Sequence, residues 1–165
     1  MKSWISPKSK KGLSSKINGG SKYQVFICCT PCSLPISFAL HTYIITNNKG
    51  TIHRYEVWGY KSRFNELSGY VNRDFYSPMV GNTILWDTNP DENSLRFKSR
   101  IIGHIEGDEN SIAQAMITFI ENNYMSYSYR FSYRYFPGPN SNTFTKWFLS
   151  HFPELKIKLP WNAWG

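Results

Sequence analysis

Pro137-Gly138-Pro139-Asn140-Ser141-Asn142-Thr143-Phe144 is the stretch of sequence that decides the fold. Its prolines and glycine end any element that precedes them, and an amphipathic run follows. One face of that run has helical spacing, i, i+3, i+4 and i+7, and consists of Phe144, Trp147, Phe148 and His151. Asn140 or Ser141 can cap this helix. We expect the helix to begin between residues 140 and 142 and to end before Pro153.

The predicted helix start places the hydroxyl of Ser141 among the free backbone N–H groups of a first helical turn. These groups and the helix dipole favour negative charge, such as the charge that develops when a serine attacks a carbonyl. The alternative is that Asn140 and Ser141 only cap the helix. The stretch alone leaves both interpretations open.

Residues 41–53 carry β-branched and aromatic side chains on both sides of Asn48-Lys49-Gly50, a pattern that predicts a β-hairpin. With a three-residue loop and the glycine in the left-handed region, His41 and His53 share one face of the sheet. Both histidines would then point toward the start of the predicted helix. With a four-residue loop, His41 lies opposite Glu56 and His53 lies on the other face.

These features together resemble a known group of enzymes. A histidine that opens a strand, a glycine-containing turn and a second histidine twelve positions on are similar to the histidine box of NlpC-type papain-like cysteine peptidases. Because the helix motif follows this box, the order resembles the circularly permuted branch, which includes lecithin:retinol acyltransferase-like proteins and PPPDE-type isopeptidases. That branch has an Asn-Cys-x-x-Phe signature. Here the matching residues are Asn140-Ser141-Asn142-Thr143-Phe144, with serine in place of cysteine.

A second resemblance is more specific. The Pro-Gly-Pro-Asn-Ser-Asn-Thr-Phe stretch and the Leu40-His41-Thr42 element closely resemble an uncharacterised bacterial family, domain of unknown function 3750. This resemblance covers most of the chain after residue 23, whereas the papain-like one covers residues 38–58 and 135–152. It implies no known activity.

The papain-like resemblance implies an α+β fold in which a small, mainly antiparallel sheet packs against the helix that begins near Ser141. It implies a hydrolase or acyltransferase of amide or ester bonds, acting on a small molecule, lipid or peptide without a cofactor. Ser141 would attack, His41 would be the general base and His53 would orient His41. Backbone N–H groups at the helix start would stabilise the oxyanion. The supporting residues are Asn140, Asn142 and Glu56.

Two other functions fit the same sequence. In the first, the chain is a catalytically inactive papain-like binding module, because a serine hydroxyl is far less acidic than the thiol it replaces. In the second, residues 127–135 form a strand whose aromatic face stacks on the bases of single-stranded nucleic acid. Aromatic residues alternate there with serines and arginines. An ordinary strand with an aromatic core face also explains that alternation.

Length and composition indicate one folded domain behind a basic arm. The chain has 165 residues, of which 17% are aromatic, so it is rich enough in apolar side chains to form a core. We expect a flexible arm over residues 1–22 and a single domain over residues 23–165. The net charge is +8. The arm could contact an anionic surface through Lys2, Lys8, Lys10, Lys11, Lys16 and Lys22, although a solvated tail is the alternative.

The length of the apolar runs and the positions of the cysteines indicate the cellular compartment of the protein. No run is long enough for a secretory signal or a transmembrane span, so we expect a cytoplasmic protein. The clustered cysteines, Cys28, Cys29 and Cys32, argue against a disulfide framework. Pro35 opposes the helix that a thioredoxin-like C-x-x-C site needs, so we expect a buried strand end over residues 25–29. No metal is expected, because structural zinc sites use four ligands.

The remaining elements follow from pattern and turn signals. We expect strands over residues 23–29, 38–45, 51–58 and 95–105. Residues 59–94 are expected to form a long irregular insert that shapes a cleft. A helix capped by Asp108 or Asn110 should follow, with a buried face made of Ile112, Ala115, Met116, Phe119 and Ile120.

Overall fold

The computed structural model of the protein describes residues 22–61, 67–86, 91 and 93–165. Within these residues, one five-stranded antiparallel sheet has the strand order β4-β3-β2-β1-β5. The strands are β1 (Tyr23–Pro31), β2 (Leu40–Asn48), β3 (Thr51–Lys61), β4 (Leu67–Arg73) and β5 (Arg100–Gly107). Two α-helices follow, α1 (Ile112–Asn123) and α2 (Ser141–Ser150). The described chain is therefore α+β, as the sequence predicted.

The basic arm predicted over residues 1–22 lies outside the described residues, except for Lys22. The ammonium group of Lys22 is 3.7 Å from a carboxylate oxygen of Glu106. No helix in the described part of the chain is long and apolar enough to cross a membrane.

The sheet is covered on both faces. The face toward the helices contains Val25, Ile27, Ile44, Tyr55 and Val57, packed against Met116, Phe144 and Phe148. The other face contains Phe26, Cys28, Tyr43 and Ile45 and is covered by the irregular segment after β4, for example by Met79. Because both faces are buried, β1 and β2 are almost continuously buried along their length.

Helix α2 begins and ends within the predicted limits. The side-chain oxygen of Asn140 accepts hydrogen bonds from the backbone N–H groups of Asn142 (2.9 Å) and Thr143 (3.4 Å). The hydroxyl of Thr143 accepts one from the N–H of Asn140 (3.0 Å). This reciprocal arrangement is a capping box. Asn140 is therefore the cap, and Ser141 is the first helical residue.

The β2–β3 hairpin has a shorter loop than either register predicted from the sequence. Asn48 pairs with Thr51, which leaves Lys49 and Gly50 as the loop. Both loop residues have positive φ, 48° and 104°, as the type I′ turn requires. A lysine rarely adopts positive φ, so the sequence pattern pointed to a longer loop. The shorter loop shifts the register by one residue, and such a shift exchanges the two faces of a strand.

Residues 127–135 do not form the predicted strand. The backbone N–H groups of Arg130 and Ser132 bond the carbonyls three residues earlier, Tyr127 and Tyr129, so the segment turns twice. Tyr127 is buried while Phe131 is largely exposed. The single aromatic face that the nucleic-acid interpretation requires is therefore not formed.

A pair of glycines explains this difference. Gly59 of β3 and Gly69 of β4 lie directly opposite each other. A Cβ on Gly59 would come within 2.4 Å of the ring of Tyr133, and one on Gly69 within 2.4 Å of the carbonyl oxygen of Ser132. The segment thus crosses the β3–β4 pair by close backbone approach, a tertiary contact that outweighs the local strand pattern.

The other corrections concern boundaries. The insert expected over residues 59–94 contains a strand, β4. The strand predicted from residue 95 begins at Arg100, because the chain at Arg96 bridges to Thr83 instead of to the sheet. Ser111, not Asp108 or Asn110, caps α1. Ala115 is exposed, and the buried stripe of α1 is Ala113, Met116, Ile117 and Ile120.

The glycine pair can be tested by adding one methyl group. Gly69→Ala should lower the free energy of unfolding by about 1–3 kcal/mol, because the new Cβ meets the backbone of Ser132. Gly103→Ala in β5 is the matched control, since its Cβ would lie 3.4 Å from the side chain of Ile27, an ordinary van der Waals contact. Urea unfolding measures both. Equal losses for the two variants would contradict the close crossing.

Candidate functional site

Three ionisable side chains are buried together on the sheet face that lies away from the helices. His41 Nε2 is 2.9 Å from Glu56 Oε2, and Arg54 Nη2 donates to the same oxygen at 2.7 Å. None of the three is more than 3% exposed. The two-residue loop explains their meeting, because it puts His41 of β2 on the same face as alternate residues of β3. We call these three residues the buried ionic cluster.

Aromatic rings and backbone carbonyls enclose the cluster. The ring of His41 stacks on that of Trp58, with centroids 4.4 Å apart. The guanidinium of Arg54 lies 3.8 Å from the ring centroid of Tyr43 and donates to the carbonyl of Val80 at 2.6 Å. The sequence analysis missed Arg54. The sequence does show that Arg54, Glu56 and Trp58 alternate along β3. This pattern indicates a shared face with His41 only when the register of β2 against β3 is known.

Burial and charge set the protonation of the cluster. Burial alone would raise the pKa of Glu56, but the Arg54 guanidinium and the hydrogen bond to His41 lower it to about 2. Burial lowers the pKa of His41 by more than Glu56 raises it. Glu56 is therefore an ionised acceptor, and Nε2 of a neutral His41 must carry the donated proton. Nδ1 of His41 then keeps its lone pair.

Ser141 lies on the opposite side of β2. Its backbone carbonyl accepts a hydrogen bond from the hydroxyl of Thr42 at 3.4 Å. Neighbouring residues on a strand point to opposite faces, so Thr42 faces α2 while His41 faces the buried ionic cluster. Within the described residues, no hydrogen bond joins Ser141 Oγ to His41 or to the helix backbone. Ser141 is only 2% exposed.

Asn142 holds the start of α2 against β2. Its side-chain oxygen accepts from the backbone N–H of Thr42 at 3.1 Å and from the Thr42 hydroxyl at 2.9 Å. Its side-chain nitrogen donates to the carbonyl of Leu40 at 2.9 Å. Asn142 therefore binds the backbone on both sides of His41. This places Asn142 beside the predicted base, although its contacts are with backbone and Thr42.

His53 does not meet His41, so that prediction was wrong. The shorter loop puts His53 opposite Thr46, on the face away from His41. Nδ1 of His53 is 2.6 Å from a carboxylate oxygen of Asp74. Glu56 instead contacts His41, as the sequence analysis expected if His53 faced away, although the loop has two residues and not four.

The C-terminal residues of the chain cover the start of α2. The carbonyl of Trp164 accepts hydrogen bonds from the side-chain amides of Asn140 (3.0 Å) and Asn142 (2.7 Å). The carbonyl of Asn162 accepts from the backbone N–H of Leu40 at 3.1 Å. These contacts lie on both sides of Ser141, so the C-terminal residues cover the helix start in the part of the chain that the structure describes. Because Asn140 already binds the first helical N–H groups, few of them remain for an oxyanion.

Burial disfavours the reactive thiolate form of two of the three cysteines, Cys28 and Cys32. Cys28 and Cys29 are buried in β1, as the buried-strand interpretation predicted. Burial raises the pKa of Cys28 to about 12 and that of Cys32 to about 11, which disfavours the reactive thiolate. Among the residues that the structure describes, no group of three His, Cys, Asp or Glu side chains could hold a metal ion.

Fold and site define an α+β protein with a buried His–Glu–Arg cluster on one face of the sheet and a capped, covered helix start on the other. The sequence profile of the family described as Protein of unknown function (DUF3750) matches residues 22–165. The chain therefore belongs to this family, as the sequence predicted. No curated protein and no solved structure matches it.

The free energy of unfolding distinguishes the capping role of Asn140 from the role of the Ser141 hydroxyl. Asn140→Ala should lower the free energy of unfolding by about 1–2 kcal/mol, because two helical N–H groups lose their acceptor. Ser141→Ala should change the free energy of unfolding by less than about 0.5 kcal/mol, since Ser141 Oγ makes no hydrogen bond to the helix backbone within the described residues. Urea unfolding at neutral pH measures both. A larger loss for Ser141→Ala would show that its hydroxyl stabilises the fold.

The buried ionic cluster should make stability depend on pH. The pKa of His41 is lowered from 6.5 in the fold, so below that pH the unfolded chain binds a proton that the folded chain does not. Stability should therefore fall as the pH drops below 6.5, and fall further below 4.5, where Glu56 titrates when unfolded.

His41→Gln should remove the first of these losses. The amide of glutamine does not titrate, and the other histidines are common to both proteins and cancel in the comparison. Urea unfolding at pH values from 8 down to 5, for wild type and variant, measures the difference in slope. Parallel profiles would contradict a neutral, buried His41.

Proposed function

We propose that this chain is a catalytically inactive binding module with the element order of a permuted papain-like protein. One observation carries the proposal: Ser141 and His41 lie on opposite faces of β2. A serine nucleophile needs a base within about 3 Å of its hydroxyl to remove the proton during attack. Here the β2 backbone and the side chain of Thr42 stand between them.

The papain-like part of the proposal is supported by the order of the elements. A strand histidine, a hairpin and then a helix that begins at an Asn-Ser-Asn-Thr-Phe motif occur in the order of the permuted branch. The sheet packs against that helix through Phe144 and Phe148. In this module, Ser141, which stands where the permuted papain-like branch has its cysteine, is a buried helix residue.

A groove offers the binding site. It has a volume of about 670 Å³ and lies between α2 and the C-terminal residues, next to the covered helix start. Apolar side chains line it together with two cationic ones, Lys146 and Lys158. Concave sites with a mainly apolar lining and few polar groups are typical ligand sites. The groove thus suits an amphipathic ligand with a negative group.

The buried ionic cluster favours a second function, a serine hydrolase or acyltransferase. Replacing a buried ion pair by apolar residues is often neutral or stabilising, so a cluster of this kind suggests a role beyond stability. His41 carries a lone pair on Nδ1 while Glu56 orients it, as a general base requires. Within the described residues, Glu56 Oε1 and Trp58 Nε1 have no hydrogen-bond partner. In this function the start of β2 turns over to bring His41 to Ser141.

A serine-reactive fluorophosphonate probe separates the two functions. We expect no labelling of Ser141 in the wild type, because no base reaches its hydroxyl. We also expect Ser141→Cys to react with iodoacetamide no faster than a free thiol, since a buried thiol without a cationic neighbour is not activated. Peptide mapping by mass spectrometry identifies the labelled residue.

The proposal of an inactive module would be overturned if the probe labels Ser141 in the wild type and in Ser150→Ala but not in His41→Gln. That result would support the hydrolase function instead. Ser150 is the matched control because it lies on the same helix but is exposed at its other end. Ser141→Ala reports the background labelling of the other serines.

A further inference from the structure

One end of the molecule carries a set of exposed apolar side chains on segments that are distant in sequence. The segments are residues 34–38, 84–86, 135–137 and 160–165, and we call their surface the aromatic end. Trp161 is 83% exposed, Phe136 70% and Leu85 67%. The other exposed members are Leu34, Phe38, Trp86 and Tyr135.

Contacts between the segments make this surface continuous. The ring of Trp164 is the centre: the ring centroids of Phe38, Phe136 and Trp161 lie 5.6, 5.8 and 6.4 Å from it. Soluble monomers rarely leave an apolar patch of several large side chains exposed, so such a patch marks an interaction site.

The segment at residues 84–86 joins the same surface from the other side. The ring centroid of Trp86 lies 5.9 Å from that of Tyr135, next to Phe136. The backbone N–H of Leu34 donates to the carbonyl of Ile84 at 2.8 Å.

The aromatic end adjoins a groove whose charged lining side chains are cationic. Its segments contain no Asp or Glu, and the adjoining groove is lined by Lys146 and Lys158. A partner for this surface must therefore accept aromatic side chains and carry negative charge.

We propose that the aromatic end docks on an anionic phospholipid bilayer. Trp, Tyr and Phe favour the membrane–water interface, where the rings enter the acyl boundary and their polar atoms stay near the headgroups. Lys146 and Lys158 meet lipid phosphates there. The inference deepens the proposed function, since it names the partner of the binding module, but it does not require that Ser141 be unreactive.

Co-sedimentation of the full chain with vesicles tests the docking. Vesicles of phosphatidylcholine mixed with phosphatidylglycerol should bind the protein, and vesicles of phosphatidylcholine alone should bind it more weakly. The double variant Phe136→Ala, Trp161→Ala should lose about tenfold in partition coefficient, because two large exposed side chains no longer insert. Lys146→Gln and Lys158→Gln should each lose about fivefold.

Phe75→Ala is the matched control. Phe75 is 63% exposed, close to the value for Phe136, but lies after β4 outside the aromatic end. It should bind as the wild type does. All variants keep the N-terminal lysines, so binding by that arm is common to them and cancels in the comparison.

Three outcomes would overturn the docking: no vesicle binding, unchanged binding of the double variant, or an equal loss in Phe75→Ala. Sedimentation velocity tests one alternative occupant. If the wild type does not bind vesicles but is a dimer, and the double variant is a monomer, the surface binds a second copy of the chain. Labelling of Ser141 by the fluorophosphonate probe would refute the inactive module and leave this result unaffected, so the two failures are distinguishable.

Discussion

The pairing of Asn48 with Thr51 is the constraint on which the rest of the site depends. A two-residue loop with positive φ at both positions sets the register of β2 against β3, and side-chain parity follows for every residue of the hairpin. His41 and Glu56 thereby share one face, and His53 goes to the other. A loop longer by one residue would put His41 on the same face of the sheet as His53 and bury a different set of polar groups.

The register also decides which charges the core must accommodate. Arg54, Glu56 and His41 are buried, and each compensates for the desolvation of another: Arg54 keeps Glu56 ionised, and Glu56 accepts from His41. The carbonyls of residues 77 and 80 accept hydrogen bonds from Nη1 of the Arg54 guanidinium. The irregular segment after β4 is thus held to the sheet by its own backbone polar groups, which explains how a long segment without regular structure can cover one face.

The parts of the fold and site that depend on local sequence signals could be predicted. The parts that depend on tertiary contacts could not. The start of α2 is specified within a few residues by Pro139, the cap Asn140 and helical spacing, so sequence sufficed. The register was not predictable, because Lys49 in the left-handed region has no sequence signal and a shift of one residue exchanges the faces. The strand pattern at residues 127–135 failed because the glycines of β3 and β4 admit a close crossing that is invisible in the segment itself.

Asn142 explains why the two halves of the predicted catalytic site stay apart. It binds the carbonyl of Leu40 and the N–H of Thr42, so the residue between them, His41, can point only away from α2. Rotation of side chains cannot bring His41 to Ser141; the start of β2 would have to turn over and lose its pairing with β1. The same amide also binds the carbonyl of Trp164. The interaction that separates the serine from its base therefore also anchors the C-terminal residues that display the aromatic end, and this coupling favours binding over catalysis.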